Sequence, residues 1–509
     1  MKPADLGMPT RYAEWRDGQD KAFDFLSTEM GHTKVAALPT GVGKSLLAMA
    51  YAKWLRQPVV ILTSTKALQT QYMRDFAEAG LVQVKGMSNY PCRLWRDIRP
   101  DTTVGCDLGP CVDGEACDYR TVGCDYYDSL AHARNQPIVV TNYAFWFTAA
   151  ATGLQPIGPR PIVICDEAHA AIEELSRYVG VEFDAAEVKL EDKLSWGLDE
   201  WKSYAEKELP KIADILPRLH NLREIRLLRS MAQKLHKIKQ IRDMDNWCMD
   251  RFESRHIKFE PLWARAYVSS YLRQSCNELV LLSATIRPYH MDWFGIEDYK
   301  FFECPSPFPV ERRPIMWIPT VKLSRKTEDA SWDRYINRID NLIESRLDRK
   351  GIIHTVSFAR AKKIFETSRW RDMMLLNQTV NTQMIVDQFR NREKPCVLVS
   401  PSVDTGFDFP YASAEYQIIG KVPFPVPTDP LVAARSLTDP LYHAKLAVTR
   451  LVQMTGRVMR AADDAGETFI VDDSINYLWS HSKPFFPMWW REAFRRVGAI
   501  PPAPERLNA

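Results

Sequence analysis

The chain has 509 residues, more than one hydrophobic core organises, so roughly two to four domains are expected. Hydrophobic residues make up 46% and charged residues 26%, the balance of a soluble globular protein. A formal net charge of only +3 excludes nucleic-acid recognition by global basicity, so such a partner has to be met in a local groove. The longest apolar runs are strand-length, such as Val59-Val60-Ile61-Leu62, and Met1-Lys2-Pro3-Ala4-Asp5 has no apolar signal region. No membrane partner is expected, and the expected location is cytoplasmic. There, clustered thiols bind metal more readily than they form disulfides.

Near the start, Arg16-Asp17-Gly18-Gln19 precedes a helical pattern, with Gln19 as a candidate adenine reader or a plain helix cap. Lys34 to Leu38 reads as a buried strand and Ser45 to Leu55 as a helix. Between them lies Pro39-Thr40-Gly41-Val42-Gly43-Lys44-Ser45. A strand, a glycine turn and a helix N-terminus form a phosphate cradle, in which Lys44 adds a point charge and Ser45 can hold Mg²⁺. The strict pattern wants glycine where this chain has Leu38. Val59 to Leu62 then runs into Thr63-Ser64-Thr65-Lys66, and Val139-Val140 into Thr141-Asn142-Tyr143; hydroxyls and a lysine at a strand end suit phosphates of a nucleic-acid strand.

Five of the ten cysteines follow in one glycine-rich stretch, spaced Cys92-x13-Cys106-x4-Cys111-x5-Cys117-x6-Cys124. A four-thiolate site holds zinc or an iron–sulfur cluster. No tight Cys-x2-Cys pair of the structural-zinc kind occurs, which leans towards a cluster. Five thiols compete for four places. The remaining cysteines, Cys165, Cys248, Cys276, Cys304 and Cys396, are isolated and read as small core residues.

Pro161 to Cys165 is a strand that delivers Asp166-Glu167-Ala168-His169 at its C-terminal end, where ligands bind in open α/β sheets. There Asp166 can position Mg²⁺ and Glu167 can polarise water, with His169 coupling to the rest of the engine. From Ala170 to about Lys258 the pattern is helical and charged, and Leu209, Ile212, Leu216, Leu219, Leu222 and Ile225 predict a helical hairpin or bundle. Its basic stretch Arg223 to Lys239 reads as a solvated face or a DNA-facing one.

Leu279 to Leu282 is a strand ending in Ser283-Ala284-Thr285, suited to sensing a γ-phosphate. A second sheet is predicted from Gly351 to Thr355, Cys396 to Ser400 and Tyr416 to Gly420, separated by helical patterns. On the helix that follows, Gln453, Arg457 and Arg460 share a face, and their guanidinia can reach a γ-phosphate across a cleft. The segment Met488-Trp489-Trp490 to Arg496 carries no motif and reads as a packing helix with a Pro-rich tail.

In this order the motifs resemble the XPD/DinG family of iron–sulfur superfamily 2 DNA helicases. Asn89-Tyr90-Pro91-Cys92 and Cys124-Asp125-Tyr126-Tyr127 look like the ends of that family's cluster domain, with Asp125 where the family often has proline. The resemblance, from about Trp15 to Asp473, implies an α/β fold of two RecA-like parallel-sheet domains with an iron–sulfur lobe and a small helical arch. It implies residues 1–85, 131–185 and 261–295 in the first domain, 86–130 in the lobe, 186–260 in the arch and 296–509 in the second domain. It implies ATP, Mg²⁺ and a 4Fe–4S cluster as cofactors. It places Gln19, Thr40, Gly41, Gly43, Lys44, Ser45, Asp166, Gly406 and Asp408 at the nucleotide. The catalytic set is Lys44, Asp166, Glu167, Gln453, Arg457 and Arg460. The implied ligands are Cys92, Cys111, Cys117 and Cys124, with Cys106 as spare or alternative. The implied partners are single-stranded DNA and single-strand/duplex junctions, the expected unit is a monomer, and the implied activity is duplex unwinding with 5′→3′ travel. A translocase or protein-displacing ATPase without processive unwinding, and a scaffold with a zinc lobe and an inactive ATP site, are the alternatives.

Overall fold

The computed structural model describes residues 1–98, 103–113, 116–185, 187–219, 221–242, 244–252, 255–274, 276–324, 326–378, 382–402, 409, 413–458 and 464–504. The first strands are β1 (Thr33–Ala37), β2 (Val59–Thr63), β3 (Leu81–Gln83), β4 (Ile138–Asn142) and β5 (Ile162–Asp166). Then come β6 (Val181–Asp184), β7 (Trp247–Phe252) and β8 (His256–Pro261), followed by β9 (Glu278–Ser283) and β10 (Lys300–Glu303). The last seven are β11 (Ile315–Val321), β12 (Lys350–His354), β13 (Met374–Leu376), β14 (Cys396–Ser400), β15 (Tyr416–Ile419), β16 (Glu467–Asp472) and β17 (Phe494–Arg496).

Both expected parallel sheets are present. The first runs β10-β1-β9-β5-β2-β4-β3 and the second β13-β14-β12-β15-β16-β11-β17. Every pairing in them is parallel. Their strands are apolar on both faces because helices cover both sides, so β2 is buried throughout. Lys34 on β1, buried in the first sheet, keeps its charge satisfied by Leu26 O at 2.7 Å, Tyr51 Oη at 2.7 Å and Glu278 Oε1 at 3.3 Å.

A third, smaller unit departs from the sequence expectation. The two predicted helices are there, Leu198–Ile215 and Leu222–Gln240, but they pack on a three-stranded antiparallel sheet, β6-β8-β7. In β8 only Ile257, Phe259 and Pro261 point inwards, between the half-exposed His256, Lys258 and Glu260. That two-residue period is too short to register against a charged, helix-rich background. Trp201 stacks on Phe183 at 4.8 Å and joins Leu235, Ile238, Ile257 and Phe259 in the unit's own core.

The C-terminal segment also differs from expectation. After the short helix Met488–Ala493 the chain forms β17, parallel to β11 at the edge of the second sheet.

The two large sheets meet through polar and aromatic contacts. Tyr289 Oη lies 3.1 Å from Thr449 Oγ1, and Trp293 Nε1 donates to Asp439 Oδ2 at 3.3 Å. Arg435, from the second half, inserts against the first: it donates to Leu262 O at 2.7 Å and to Ser176 Oγ at 3.3 Å.

Candidate active site and cysteine lobe

The strand order puts β1, β9 and β5 side by side, so the segments that leave their C-terminal ends converge. Ala37 is in register with Ser283, and Asp166 with Leu282. The glycine loop, the hydroxyls of Ser283 and Thr285, and the Asp166-Glu167 pair therefore share one edge of the first sheet.

Lys44 Nζ lies 3.2 Å from Glu167 Oε1. Glu167 has φ +51°, a left-handed conformation that costs a non-glycine residue about 1–3 kcal/mol. Its amide donates to Asp166 Oδ1 at 2.8 Å. The other carboxylate oxygen, Oδ2, accepts from Tyr72 Oη at 2.8 Å, and Tyr143 Oη donates to the Asp166 carbonyl at 3.0 Å. Burial and the Glu167 charge push the Asp166 carboxyl up. Burial pushes Glu167 up too, but Lys44, His169 and Arg457 outweigh it and hold Glu167 below the usual carboxylate range.

His169 joins the two halves. Gln453, on the second-half helix Tyr442–Thr455, donates its amide to Nε2 of His169. That leaves the ring proton on Nδ1, 2.7 Å from Ser283 Oγ and 3.4 Å from Glu167 Oε2. Burial is the main force that lowers the His169 pKa to about 4, so the ring is neutral at pH 7. Arg457 sits near enough for its charge to act on both Glu167 and His169. Its carbonyl accepts from Phe409 N at 3.2 Å.

The loop itself is tightly held. Gly41 and Gly43 have φ +79° and +88°. A Cβ on Gly43 would lie 2.5 Å from Gln19 Nε2, which donates to Val42 O at 2.6 Å. Gln19 Oε1 accepts from Arg16 N at 2.7 Å, and Arg16 Nη1 donates to Gly41 O at 3.1 Å. Gln19 thus braces the loop. Across the cleft, a Cβ on Gly456 would lie 2.6 Å from Thr40 Cγ2, so the halves touch directly at the glycine after Thr455. Ser45 lies in the first turn of the helix Lys44–Leu55, where amide groups are free of intrahelical partners.

Of the nucleotide and catalytic residues expected from sequence, Gln19, Thr40, Gly41, Gly43, Lys44, Ser45, Asp166, Glu167, Gln453 and Arg457 come together here. Gly406, Asp408 and Arg460 lie outside the described residues. The strand-end residues assigned to nucleic-acid phosphates have local partners. Thr65 caps the helix Lys66–Phe76 by accepting from Leu68 N at 3.1 Å, and Asn142 caps Tyr143–Ala151 by accepting from Phe145 N at 2.8 Å. Sequence reasoning passed over Tyr72 and grouped Tyr143 with a strand end suited to phosphates; their contacts with Asp166 show only in the fold.

The cysteine stretch leaves the first sheet after β3 and returns through the helix Asp125–Arg134 to β4. Pro91 and Gly105 form an antiparallel bridge, flanked by Cys92 N to Val104 O at 2.6 Å and Cys106 N to Tyr90 O at 2.9 Å. Cys92, Cys106 and Cys124 are buried, and Cys111 and Cys117 are half-buried. Cys106 Sγ is 3.9 Å from Cys124 Sγ. A Cβ on Gly109 would lie 3.3 Å from Cys92 Sγ and 3.5 Å from Cys111 Sγ, so these sulfurs face a glycine where a side chain would intrude. Burial, then the Cys124, Cys92 and Cys111 thiols, push the Cys106 thiol up. Among the described residues no three metal-binding side chains are gathered closely enough for a single ion. The other cysteines are dispersed: Cys165, Cys304 and Cys396 are buried as expected, while Cys248 and Cys276 are only half-buried.

The lobe also carries a contact to the helical hairpin. Val104 and Leu108 pack with Ile225, Arg229 Nη1 donates to Asp107 O at 3.1 Å, and Arg226 Nη2 lies 4.0 Å from Asp107 Oδ2.

Two family models match the chain: a helicase C-terminal domain over residues 341–493, and the res subunit of type III restriction enzymes over residues 13–191. The ATP-dependent DNA helicase YoaA of Escherichia coli is 22% identical over 88% of this chain and 89% of its own length. The ATP-dependent DNA helicase DinG of Photobacterium profundum is 24% identical over 42% of this chain and 33% of its own length. Among solved structures, an XPD helicase superposes with a TM-score of 0.64 at 14% identity, over 95% of this chain and 100% of the other. The S. tokodaii Xpd4 structure gives 0.60 at 11%, over 95% and 99%. The two family models, these relatives and these structures together support an XPD/DinG-type superfamily 2 helicase. The two seven-stranded sheets are its RecA-like domains. Among the described residues no helix is long and apolar enough to cross a membrane.

Proposed function

We propose that this XPD/DinG-type chain is an ATP-dependent DNA helicase that moves along single-stranded DNA, 5′→3′ as its resemblance implies, and separates duplex at single-strand/duplex junctions. The observation that carries the reading is the contact chain Lys44–Glu167–His169–Gln453, which runs from the phosphate loop of one RecA-like domain to a helix of the other. Lys44 and the first amides of its helix bind the β- and γ-phosphates. Phosphate oxygens compete with Glu167 for Lys44, so nucleotide binding frees that carboxylate to accept a proton from the attacking water. Arg457, and with it Arg460, supplies cations to the transferring phosphoryl group from the opposite domain. Breaking and remaking the His169–Gln453 link then tracks cleft opening and closure.

Mg²⁺ fits the site: Asp166 presents a carboxylate fixed by two hydrogen bonds, and Ser45 a hydroxyl at the helix start. When bound, the ion neutralises phosphate charge. The lobe offers the soft donors that an iron–sulfur cluster takes: the Cys92 and Cys111 sulfurs flank Gly109, and Cys106 Sγ lies 3.9 Å from Cys124 Sγ. Its ligands come from the five clustered cysteines, and its role is to hold the lobe in shape for strand separation. DNA contacts are to phosphates and by base stacking, without sequence readout.

The test is DNA-stimulated ATP hydrolysis together with strand displacement on duplexes carrying a 5′ or a 3′ single-stranded tail. Unwinding of the 5′-tailed substrate is expected. Translocation without displacement would favour the translocase reading, and ATP hydrolysis untouched by DNA would reject the helicase. Anaerobic purification should yield brown protein with about four irons per chain. Colourless protein with one zinc would turn the lobe into a structural zinc module.

A further inference from the structure

We propose that Arg435 is the pivot on which the second RecA-like domain turns as the ATP cleft opens and closes, and the positioning residue that ties the small antiparallel unit to that motion. The proposal rests on the helicase reading for the part that DNA plays in it.

Arg435 is 7% exposed and lies on the helix Pro430–Thr438 of the second half. Its guanidinium reaches three other pieces of the fold. Nε donates to Leu262 O at 2.7 Å, and Nη2 lies 3.5 Å from Pro261 O, at the end of β8 in the small unit. Nη2 also donates to Ser176 Oγ at 3.3 Å, on the helix Ala171–Val179. Nη1 donates to Tyr442 Oη at 2.8 Å, on the first residue of the helix Tyr442–Thr455. A planar fork serves acceptors in several directions at once, which an ammonium on a flexible stem does less well.

The same two helices meet again at the cleft. Ala171–Val179 starts two residues after His169, and Tyr442–Thr455 carries Gln453, which donates to His169. The domain boundary is therefore crossed by Gln453 towards one end of the second helix and by Arg435 at the other. From Tyr442 to Gln453 the helix spans about 16 Å.

The two crossings differ in kind. The Arg435 guanidinium lies 5.2 Å from the ring centre of Trp263 and 5.5 Å from that of Tyr442. Tyr442 meets Trp263 at 5.5 Å and Trp293 at 5.1 Å, and Trp263 Nε1 donates to Thr438 Oγ1 at 3.1 Å. At the cleft end, the Gln453 amide meets His169 and Gly456 lies against Thr40. Contacts between rings, and between a cation and a ring, tolerate a range of angles. A hydrogen bond between two side chains is lost within about an ångström of added distance. A tilt of about 10° at Arg435 carries Gln453 about 3 Å, enough to break its bond to His169 while the aromatic end stays packed. Because the same guanidinium holds the end of β8, a pull on the small unit tilts the helix that carries Gln453. DNA bound to that unit would then act on the cleft through Arg435. The plain alternative is a static staple that only holds the fold together.

The experiment uses the full chain. Hydrogen exchange of the wild type is followed with and without a non-hydrolysable ATP analogue. ATP hydrolysis by the wild type and Arg435→Lys is measured with and without oligo-dT. In the wild type, the analogue is expected to change exchange around His169 and Gln453 and to leave residues 261–263 and 435–442 as they were. Arg435→Lys is expected to keep its KM for ATP and its DNA-free rate within about twofold, while stimulation by oligo-dT falls about tenfold. An equal response to the analogue at both ends of the helix, including none at either, overturns the pivot. Unchanged stimulation in Arg435→Lys overturns it too. A loss of rate that is equal with and without oligo-dT makes Arg435 a staple and also overturns it. If Arg435→Lys fails to fold, the exchange comparison decides alone. A wild type that oligo-dT does not stimulate rejects the helicase reading, and the exchange comparison still judges the pivot.

Discussion

The phenolic hydroxyl of Tyr72 donates a 2.8 Å hydrogen bond to Asp166 Oδ2, and both side chains are buried. Burial holds the phenol well above its ordinary pKa, so it is a permanent donor. Together with the Glu167 amide on Oδ1, it fixes the orientation of the carboxylate. A hydrogen bond to a charged group contributes about 1.5 kcal/mol or more. Tyr72→Phe should therefore raise the Mg²⁺ concentration for half-maximal ATP hydrolysis about tenfold, with little change at saturating Mg²⁺. A Mg²⁺ titration of the two proteins checks this, and an unchanged midpoint would reduce Tyr72 to a packing residue.

Lys44→Ala should abolish hydrolysis, since the phosphates lose their point cation. Glu167→Gln should bind ATP and stop turning it over, because an amide cannot take a proton from water. The same substitution removes the ion pair with Lys44, so ATP binding should become slightly tighter, not weaker. Equilibrium binding alongside steady-state hydrolysis separates the effects; near-normal turnover in either variant would contradict the assigned roles.

Arg457→Lys keeps the charge that acts on Glu167 but loses the planar fork. Turnover should fall by far more than ATP affinity, because a contact across the cleft matters most in the transition state. A pure affinity defect with a normal maximal rate would place Arg457 outside the chemistry. Arg460→Lys should behave in the same way.

Two histidines make the fold sensitive to mild acid. Burial is the main cause that lowers His290 to about 3 and His169 to about 4. Between those values and the ordinary histidine pKa the unfolded chain binds protons that the folded chain does not, so stability falls as pH falls. From pH 7 to pH 5 each histidine should cost about 2 kcal/mol. His290 accepts from Arg287 N at 3.1 Å through Nδ1, which His290→Asn can imitate. Urea unfolding at pH 7, 6 and 5 should show a shallower pH dependence in that variant. Equal slopes would mean that the ring protonates in place.

The engine was legible in the sequence because its chemistry sits at strand ends. Lys44, Asp166 and Ser283 each follow a short apolar run, and the fold brings the ends of β1, β5 and β9 together by sheet order alone. What escaped were features set by contacts far apart in the chain. Tyr72 lies on an amphipathic helix and looks like core until it is seen 94 positions away, beside Asp166. The strands β7 and β8 carry too few inward residues to outvote the helical composition around them. Cys106 reads as the spare or alternative thiol from spacing along the chain, which does not show the antiparallel pairing of residues 90–92 with 104–106. Thr65 and Asn142, read as suited to phosphate contact, also cap helices, a local role that the strand pattern does not show.

The contact between Asp107 and Arg229 joins residues 122 positions apart, and Asp107 is the immediate neighbour of Cys106. Closing so long a span carries an entropic cost that the contact can offset only while residues 104–108 hold one shape. Whatever orders Cys106 therefore also stiffens the helix Leu222–Gln240 at its docking end. Oxidative damage to the lobe becomes a mechanical event elsewhere: the hairpin loses its mooring, and amide hydrogens near Ile225 and Arg229 should exchange faster while those of the two RecA-like sheets keep their protection.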